Sequence, residues 1–335
     1  MHWTFLVKLK IAAVFVVTAA LFAVAGPWAI GRVDPQGPFV LGNLVNPAAA
    51  CGLLACLLAA TTVVGTLLIH RDLPGAAWLI AGAGWAGLAL RSGPIDNALI
   101  YLPTTGDLHG FYVGLLCEIG IYSGITVIIA LLAEGIANMA FGRSNAGLDE
   151  SERDDEAVLT KMAFHTGLIG ALLGVAASKA RQAVGGRRQP GSADDLFAIA
   201  TQILGSGVVA IVAYLLLINN SPVDGHLPGP ILRGQVLFAL FVAFFAGTLA
   251  TNWVFPSANP WRLALSVPAT GAACLVLTIL MLIQPQFPYQ PPLRISAMLP
   301  IDVLGIGLPA AMAGFIISAR LVEANLAPKA DAERS

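Results

Sequence analysis

Long apolar runs constrain the fold of this chain more than any other feature. A transmembrane helix needs about 20 predominantly apolar residues. Seven stretches reach this length, the last of them only if Asp302 and Pro309 are tolerated within it: 11–30, 47–69, 111–133, 196–218, 236–255, 263–283 and 297–317. Two shorter apolar runs cover 76–90 and 163–178. None alternates in polarity as the strands of a membrane barrel do, so the sequence predicts an all-α integral membrane protein.

Composition agrees with burial in lipid. Of the 335 residues, 57% are hydrophobic and 11% are charged, whereas a soluble domain carries about 25% charged residues. The net charge of −1 gives no sign of a nucleic-acid partner. The four cysteines lie inside apolar runs without Cys-x-x-Cys spacing, which indicates neither a disulfide framework nor a metal site. We therefore expect no cofactor and no metal.

The positions of Lys and Arg favour eight crossings with both termini in the cytoplasm, because cytoplasmic loops are enriched in these residues. If 163–178 does not cross, fourteen of the 18 lie on the side of the N-terminus. If all nine runs cross, eight lie there, and if 76–90 is left out instead, twelve do. We therefore expect eight transmembrane helices plus one interfacial or re-entrant helix, in the inner (cytoplasmic) membrane of a bacterium. The four residues on the opposite side are Arg32, Arg91, Arg233 and Arg294.

The first 25 residues also resemble a signal peptide. Lys8 and Lys10 precede an apolar run, and Ala-Val-Ala at 23–25 resembles a cleavage site. We expect this segment to be retained as the first helix, because it has a counterpart later in the chain.

That counterpart belongs to an apparent duplication of four helices. Residues 33–43 read VDPQGPFVLGN and residues 223–235 read VDGHLPGPILRGQ. With a two-residue gap, both give Val-Asp, Gly-Pro, two apolar residues, one spacer, Gly and a carboxamide. The last spans also end alike, with ALLAE at 130–134 and ARLVE at 319–323. Four-helix units joined by a cytoplasmic linker share one orientation, so the sequence predicts two parallel repeats, as found in some transporters.

This division predicts four regions. The first repeat covers 1–141, a polar cytoplasmic linker 142–195, the second repeat 196–323, and a disordered tail 324–335. The linker contains a predicted helix with acids at its N-terminus and bases at its C-terminus, as the helix dipole favours. Its arginines suit anionic lipid headgroups.

Glu118 is the principal candidate for a functional residue. A carboxylate near the middle of a bilayer costs about 2.5–3.5 kcal/mol even on the gentler scales, so Glu118 should face the interior of the bundle. It then acts as a proton or cation site, or it is a neutral side chain bonded to a neighbouring helix. Asp107, His109 and Asp302 lie near the outer ends of the equivalent fourth spans. Asp107 shares a helix face with Glu118, three turns and about 16 Å away, although Asp107 and Asp302 are equally consistent with helix capping.

Two Gly-x-x-x-Gly patterns, at Gly120–Gly124 and Gly170–Gly174, predict close helix packing, because small residues let backbones approach.

No motif specifies a substrate or a reaction, and no catalytic residue is predicted. Three interpretations remain open. The first is a small-solute or proton-coupled transporter that uses Glu118. The second is a non-catalytic scaffold, or a subunit of a larger membrane complex with a membrane protein partner. The third is an intramembrane enzyme with Glu118 and Asp302 as a carboxylate pair.

Overall fold

The described part of the chain is a bundle of eight α-helices. The computed structural model describes residues 5–29, 37–44, 46–73, 75–95, 97, 99, 107–141, 192–218, 222–223, 227–228, 232–255, 260–282 and 294–332. The helices are α1 (Phe5–Ala29), α2 (Pro47–Ile69), α3 (Ala76–Arg91), α4 (Leu108–Phe141), α5 (Ser192–Leu217), α6 (Arg233–Val254), α7 (Pro260–Met281) and α8 (Pro300–Ala332). Two 3-10 turns, Leu41–Asn43 and Arg294–Ala297, and a two-residue antiparallel ladder, Pro222–Val223 with Leu227–Pro228, complete it. The predicted linker helix, with the run 163–178 and the pair Gly170–Gly174, lies outside the described residues.

Seven of these helices are long and apolar enough to cross a membrane: all except α3, with α8 qualifying over Pro300–Leu321. The chain is therefore an α-helical membrane protein, which confirms the predicted fold class. Helix α2 begins where the sequence supplies a cap. Asn46 accepts a hydrogen bond from the Ala49 N–H (3.2 Å) ahead of Pro47 at the first helical position of α2.

Helix α3 is shorter than a membrane-spanning helix, and protein rather than lipid surrounds most of it. Its 16 residues span about 24 Å, less than the roughly 30 Å of a hydrocarbon core. Nearly all of its side chains are buried, and it packs against α1, α2, α4 and α8.

The same helix nevertheless runs from one end of the bundle to the other. Its start at Gly75 packs on Pro260, at the start of α7, and the carbonyl of Ala89 near its end binds Arg233, at the start of α6. Pro260 lies only six residues after the end of α6, a distance of about 21 Å at most. Helix α7 therefore starts at the end of the bundle where α6 finishes, which is opposite to the end where α6 starts. We call the end where α4 leads towards residue 142 the linker end, and the end that carries Leu41 and Arg233 the loop end.

Glycines set the closest helix contacts. A Cβ atom on Gly305 of α8 would lie 2.6 Å from the Trp85 carbonyl oxygen of α3, and one on Gly314 would lie 2.6 Å from the Phe245 oxygen of α6. Backbone atoms therefore occupy the space that a side chain would need.

The glycine pair on α4 does not pack in this way, and the prediction for Gly120 and Gly124 is wrong within the described bundle. Both are exposed, and no described atom lies within 4 Å of a Cβ built on either. The buried face of α4 contains Leu115, Ile119 and Tyr122, and a period of 3.6 residues places the two glycines on the opposite side.

Candidate functional site

Glu118 is buried in the bundle, with 3% of its surface exposed. Its Oε1 accepts hydrogen bonds from the backbone N–H groups of Leu41, at 2.6 Å, and Gly42, at 3.4 Å. Its Oε2 is buried and has no hydrogen-bond partner among the described residues. Leaving a buried polar atom unpaired costs about 1–3 kcal/mol, and more for a charged group. The unpaired Oε2 therefore has an energetic cost, and it lies about 15 Å along α4 from the start of that helix.

The partners of Glu118 belong to a connection that folds back into the bundle. This segment, residues 37–44 between α1 and α2, buries Phe39 and Leu41. The Phe39 N–H donates to the Ser92 hydroxyl oxygen (2.9 Å), and the Gly93 N–H donates to the Gly37 carbonyl oxygen (2.9 Å). Irregular backbone at membrane depth is tolerated only where protein or a water-filled cavity surrounds it. Glu118 and Ser92 supply the acceptors that this segment needs.

Polar side chains continue along α4 from Glu118. Tyr122 lies one turn further on, on the same buried face of α4. The ring of Tyr122 packs on Trp85, with centroids 4.9 Å apart. The Trp85 Nε1–H donates to the Thr126 hydroxyl (2.7 Å), one turn beyond Tyr122. The carboxyl group therefore lies at one end of a short row of inward-facing polar side chains.

Asp302 is fully buried and forms a two-point ion pair with Arg233. Arg233 Nη2 lies 2.6 Å from Oδ1 and Nη1 lies 3.2 Å from Oδ2, which also accepts the Leu299 N–H at 3.2 Å. The same guanidinium donates to the carbonyl oxygens of Ala89 (2.6 Å) and Gly93 (2.9 Å). The C-terminus of a helix such as α3 favours a cation. Asp302 therefore links the starts of α6 and α8 to the end of α3.

Asp107 and His109 remain at the surface of the loop end. The Oδ1 of Asp107 accepts the Gly110 N–H at 2.8 Å, the arrangement of a helix N-cap. Both residues are exposed, whereas Glu118 is buried. The structure does not bring them into contact with Glu118.

Sequence reasoning missed the partners of both buried carboxylates. Leu41 contributes a backbone N–H, for which its side chain gives no signal. Arg233 did carry a signal, since it is one of only four basic residues on the predicted outer side and stands at the edge of an apolar run.

Two cavities in the described part of the chain lie away from Glu118. A groove of about 490 Å³ opens at the surface between α1 and α2, with Thr18 and Thr61 among apolar side chains. A cavity of about 10 Å³ lies beside Tyr214 and Thr270. Glu118 lines neither. The described residues also contain no group of three or more His, Cys, Asp or Glu side chains arranged to hold a metal ion.

Comparison of the chain with protein-family models, with curated proteins and with solved structures gives no match. Helix length and composition therefore define its class, an integral membrane protein in contact with lipid.

Proposed function

We propose that this protein couples the movement of protons to the passage of a small solute across the membrane, with Glu118 as the proton-binding group. The observation that carries the proposal is a buried carboxyl group with one oxygen bonded to an irregular segment and the other without a partner among the described residues. Ionisable side chains inside a membrane are costly, and they mark ion pathways and proton relays.

Proton binding at Glu118 has a mechanical consequence. A carboxylate accepts hydrogen bonds about twice as strong as those of a neutral group. Protonation therefore weakens the hold of Oε1 on the N–H groups of Leu41 and Gly42. The segment 37–44 lies at the loop end, so its release opens a route from that side towards α4.

The test is proton flux in reconstituted vesicles that contain a pH-sensitive dye, are driven by a membrane potential and hold a mixture of small solutes on both sides, so that coupled transport can proceed. Glu118→Gln keeps the size of the side chain and one acceptor oxygen but binds no proton. We expect this variant to lose the flux and the matched Asp107→Asn variant to retain it, because asparagine also caps helices. Absence of flux from the wild type, or equal flux from the wild type and Glu118→Gln, contradicts the proposal.

A non-catalytic membrane scaffold is the second candidate, and the burial of Glu118 with its bonds to backbone N–H groups favours it. Its bonds to segment 37–44 are sufficient as a structural role. In that case Glu118→Gln lowers the melting temperature without any effect on flux. The carboxylate-pair enzyme gains no such support, because both oxygens of Asp302 bind Arg233.

We further propose that the two halves are parallel repeats related by a two-fold axis near the membrane normal. In the first half, α1 packs on α3 and α2 packs on α4. The equivalent helices of the second half pack in the same way, α5 on α7 and α6 on α8. A rotation that exchanges the halves would turn the contact of α3 with α8 into a contact of α7 with α4, and both contacts are present. The repeated loops align Leu41 with Arg233, and these two residues bind the two buried carboxylates Glu118 and Asp302. The close contact of α2 with α3 has no counterpart of similar extent between α6 and α7. The cytoplasmic linker and its contact with anionic lipid belong to this proposal too.

A further inference from the structure

A second group of polar side chains joins α2 to α4 at the linker end. The Nε2 of His70, which follows α2 directly, lies 3.0 Å from the Oδ1 of Asn138 on α4. The His70 ring also stacks on Phe141, with centroids 6.3 Å apart, and the Arg71 guanidinium lies 4.7 Å from the same ring centroid. The last turn of α4 is therefore held against the end of α2.

Three buried polar atoms around this contact have no hydrogen-bond partner among the described residues: His70 Nδ1, Thr66 Oγ1 and Glu134 Oε1. Thr66 lies one turn before His70 on the same face of α2, and Glu134 lies one turn before Asn138 on the same face of α4. Both helices run from the loop end to the linker end. Thr66 and Glu134 therefore lie at a similar depth, one turn further into the bundle than the bond between His70 and Asn138.

Two fully buried threonines of α2, Thr62 and Thr66, have hydroxyl groups without a hydrogen-bond partner among the described residues. Such a hydroxyl ordinarily donates to the carbonyl oxygen one turn back, as Thr126 does to Tyr122 (2.7 Å) and Thr278 does to Cys274 (2.8 Å). Thr66 is fully buried and makes no such bond. Its hydroxyl remains available to a small polar ligand.

The bond to Asn138 indicates the tautomer of the neutral His70 ring. An amide oxygen only accepts hydrogen bonds, so Nε2 carries the hydrogen. In the neutral ring, Nδ1 then holds a lone pair that can accept a hydrogen bond or a proton. A carboxyl group, an imidazole lone pair and a hydroxyl group together have the chemistry of a proton relay.

We infer that Glu134, His70 and Thr66 form a second proton-binding site at the linker end, whose ligand is a proton carried by water. The inference rests on the proposed function in one respect, namely that this site exchanges the proton that Glu118 binds. A proton on the Glu134 carboxyl passes through water, oriented by the Thr66 hydroxyl, to Nδ1 of His70. The step leaves a carboxylate and an imidazolium, and the imidazolium then releases the proton to water at the linker end.

Other charged groups lie at the linker end of the described bundle. Lys10 of α1 pairs with Asp72 at 2.8 Å. Further charged groups at this end include Lys8 of α1, Arg71 after α2, Arg262 in the first turn of α7 and Arg320 near the end of the membrane-spanning part of α8. Substitution of these residues is avoided in the test, because each alters the local field.

Water access is tested first, by cysteine labelling in a variant with its four native cysteines replaced by serine. Thr66→Cys places a thiol at the site, and Val64→Cys is the matched control, because Val64 is 59% exposed on the membrane-facing side of the same helix. A membrane-impermeant thiol reagent added at the linker end should label position 66 and not position 64. Absence of labelling at position 66 overturns the inference.

Proton binding is tested by infrared difference spectroscopy across a pH titration of the whole protein. Glu134→Gln should remove one titrating carboxyl band, and His70→Gln should shift the pH at which that band titrates. If the first variant does not accumulate in membranes, the second still decides, because an unshifted band overturns the relay. An unchanged spectrum for Glu134→Gln, with flux lost in Glu118→Gln, refutes this site alone. A lost band, with flux unchanged in Glu118→Gln, refutes the proposed function and retains the site as a proton-binding group.

Discussion

At the scale of the residue, the two buried carboxylates differ in how they are satisfied. Asp302 is neutralised by a guanidinium that reaches both of its oxygens. In the part of the chain that the structure describes, the partners of Glu118 are two backbone N–H groups, both on one oxygen. A charge balanced by a charge is suited to holding helices in place, whereas a carboxyl group with an unpaired oxygen can change its protonation state. This contrast makes Asp302 a structural residue in our proposal and Glu118 the functional one.

The ion pair gives a direct prediction of stability. Asp302→Asn leaves the mostly buried Arg233, 18% exposed, without its counter-charge. Removal of one partner from a buried pair costs about 3–5 kcal/mol of the free energy of unfolding. The control is Lys10→Ala, which breaks the more exposed pair with Asp72 and should cost at most about 1 kcal/mol. Chemical unfolding in micelles measures both, and equal losses would show that Asp302 does not anchor the bundle.

At the scale of the element, helix contacts depend on where the small residues face. Gly305 and Gly314 of α8 lie against backbone atoms of α3 and α6, and this close approach lets α3 remain short and buried. The spacing of Gly120 and Gly124 is the same pattern in sequence, yet they face outward. Spacing alone predicts that two glycines share a helix face, and only the positions of the neighbouring helices decide whether that face is in contact.

Matched glycine substitutions test this distinction. Gly305→Ala places a Cβ 2.6 Å from the Trp85 oxygen, and overpacking of this kind costs about 1–3 kcal/mol. Gly120→Ala meets no described atom within 4 Å, so we expect it to raise the free energy of unfolding by about 0.5–1 kcal/mol, since alanine favours a helix more than glycine does. A comparable loss of stability in both variants would argue against the close contact of α3 with α8.

At the scale of the whole molecule, the sequence predicted the helices far better than the contacts between them. The apolar run 47–69 coincides with α2, and 76–90 differs from α3 by one residue, because a helix buried in lipid or in the core of the bundle must be apolar along its length. The extension of α4 to Phe141 lies beyond the apolar run and was not predicted. Burial of Glu118 followed from the cost of a charge in lipid. Its partner Leu41 did not, because the bond joins positions 77 residues apart through a backbone group.

Orientation in the membrane is a whole-molecule property that the charge distribution predicts and labelling can test. Fourteen of the 18 Lys and Arg residues lie on the linker side in the eight-crossing arrangement, and cytoplasmic loops are enriched in these residues. In a variant with its native cysteines replaced, Arg187→Cys should be protected from an impermeant thiol reagent added to intact cells. Leu232→Cys is the matched control, because Leu232 is exposed at the loop end, 68% accessible at the start of α6. It should be labelled under the same conditions. Labelling at position 187 with protection at position 232 would show that the orientation is the reverse of the predicted one. Segment 37–44 would then lie on the cytoplasmic side, and His70 would release protons on the external side.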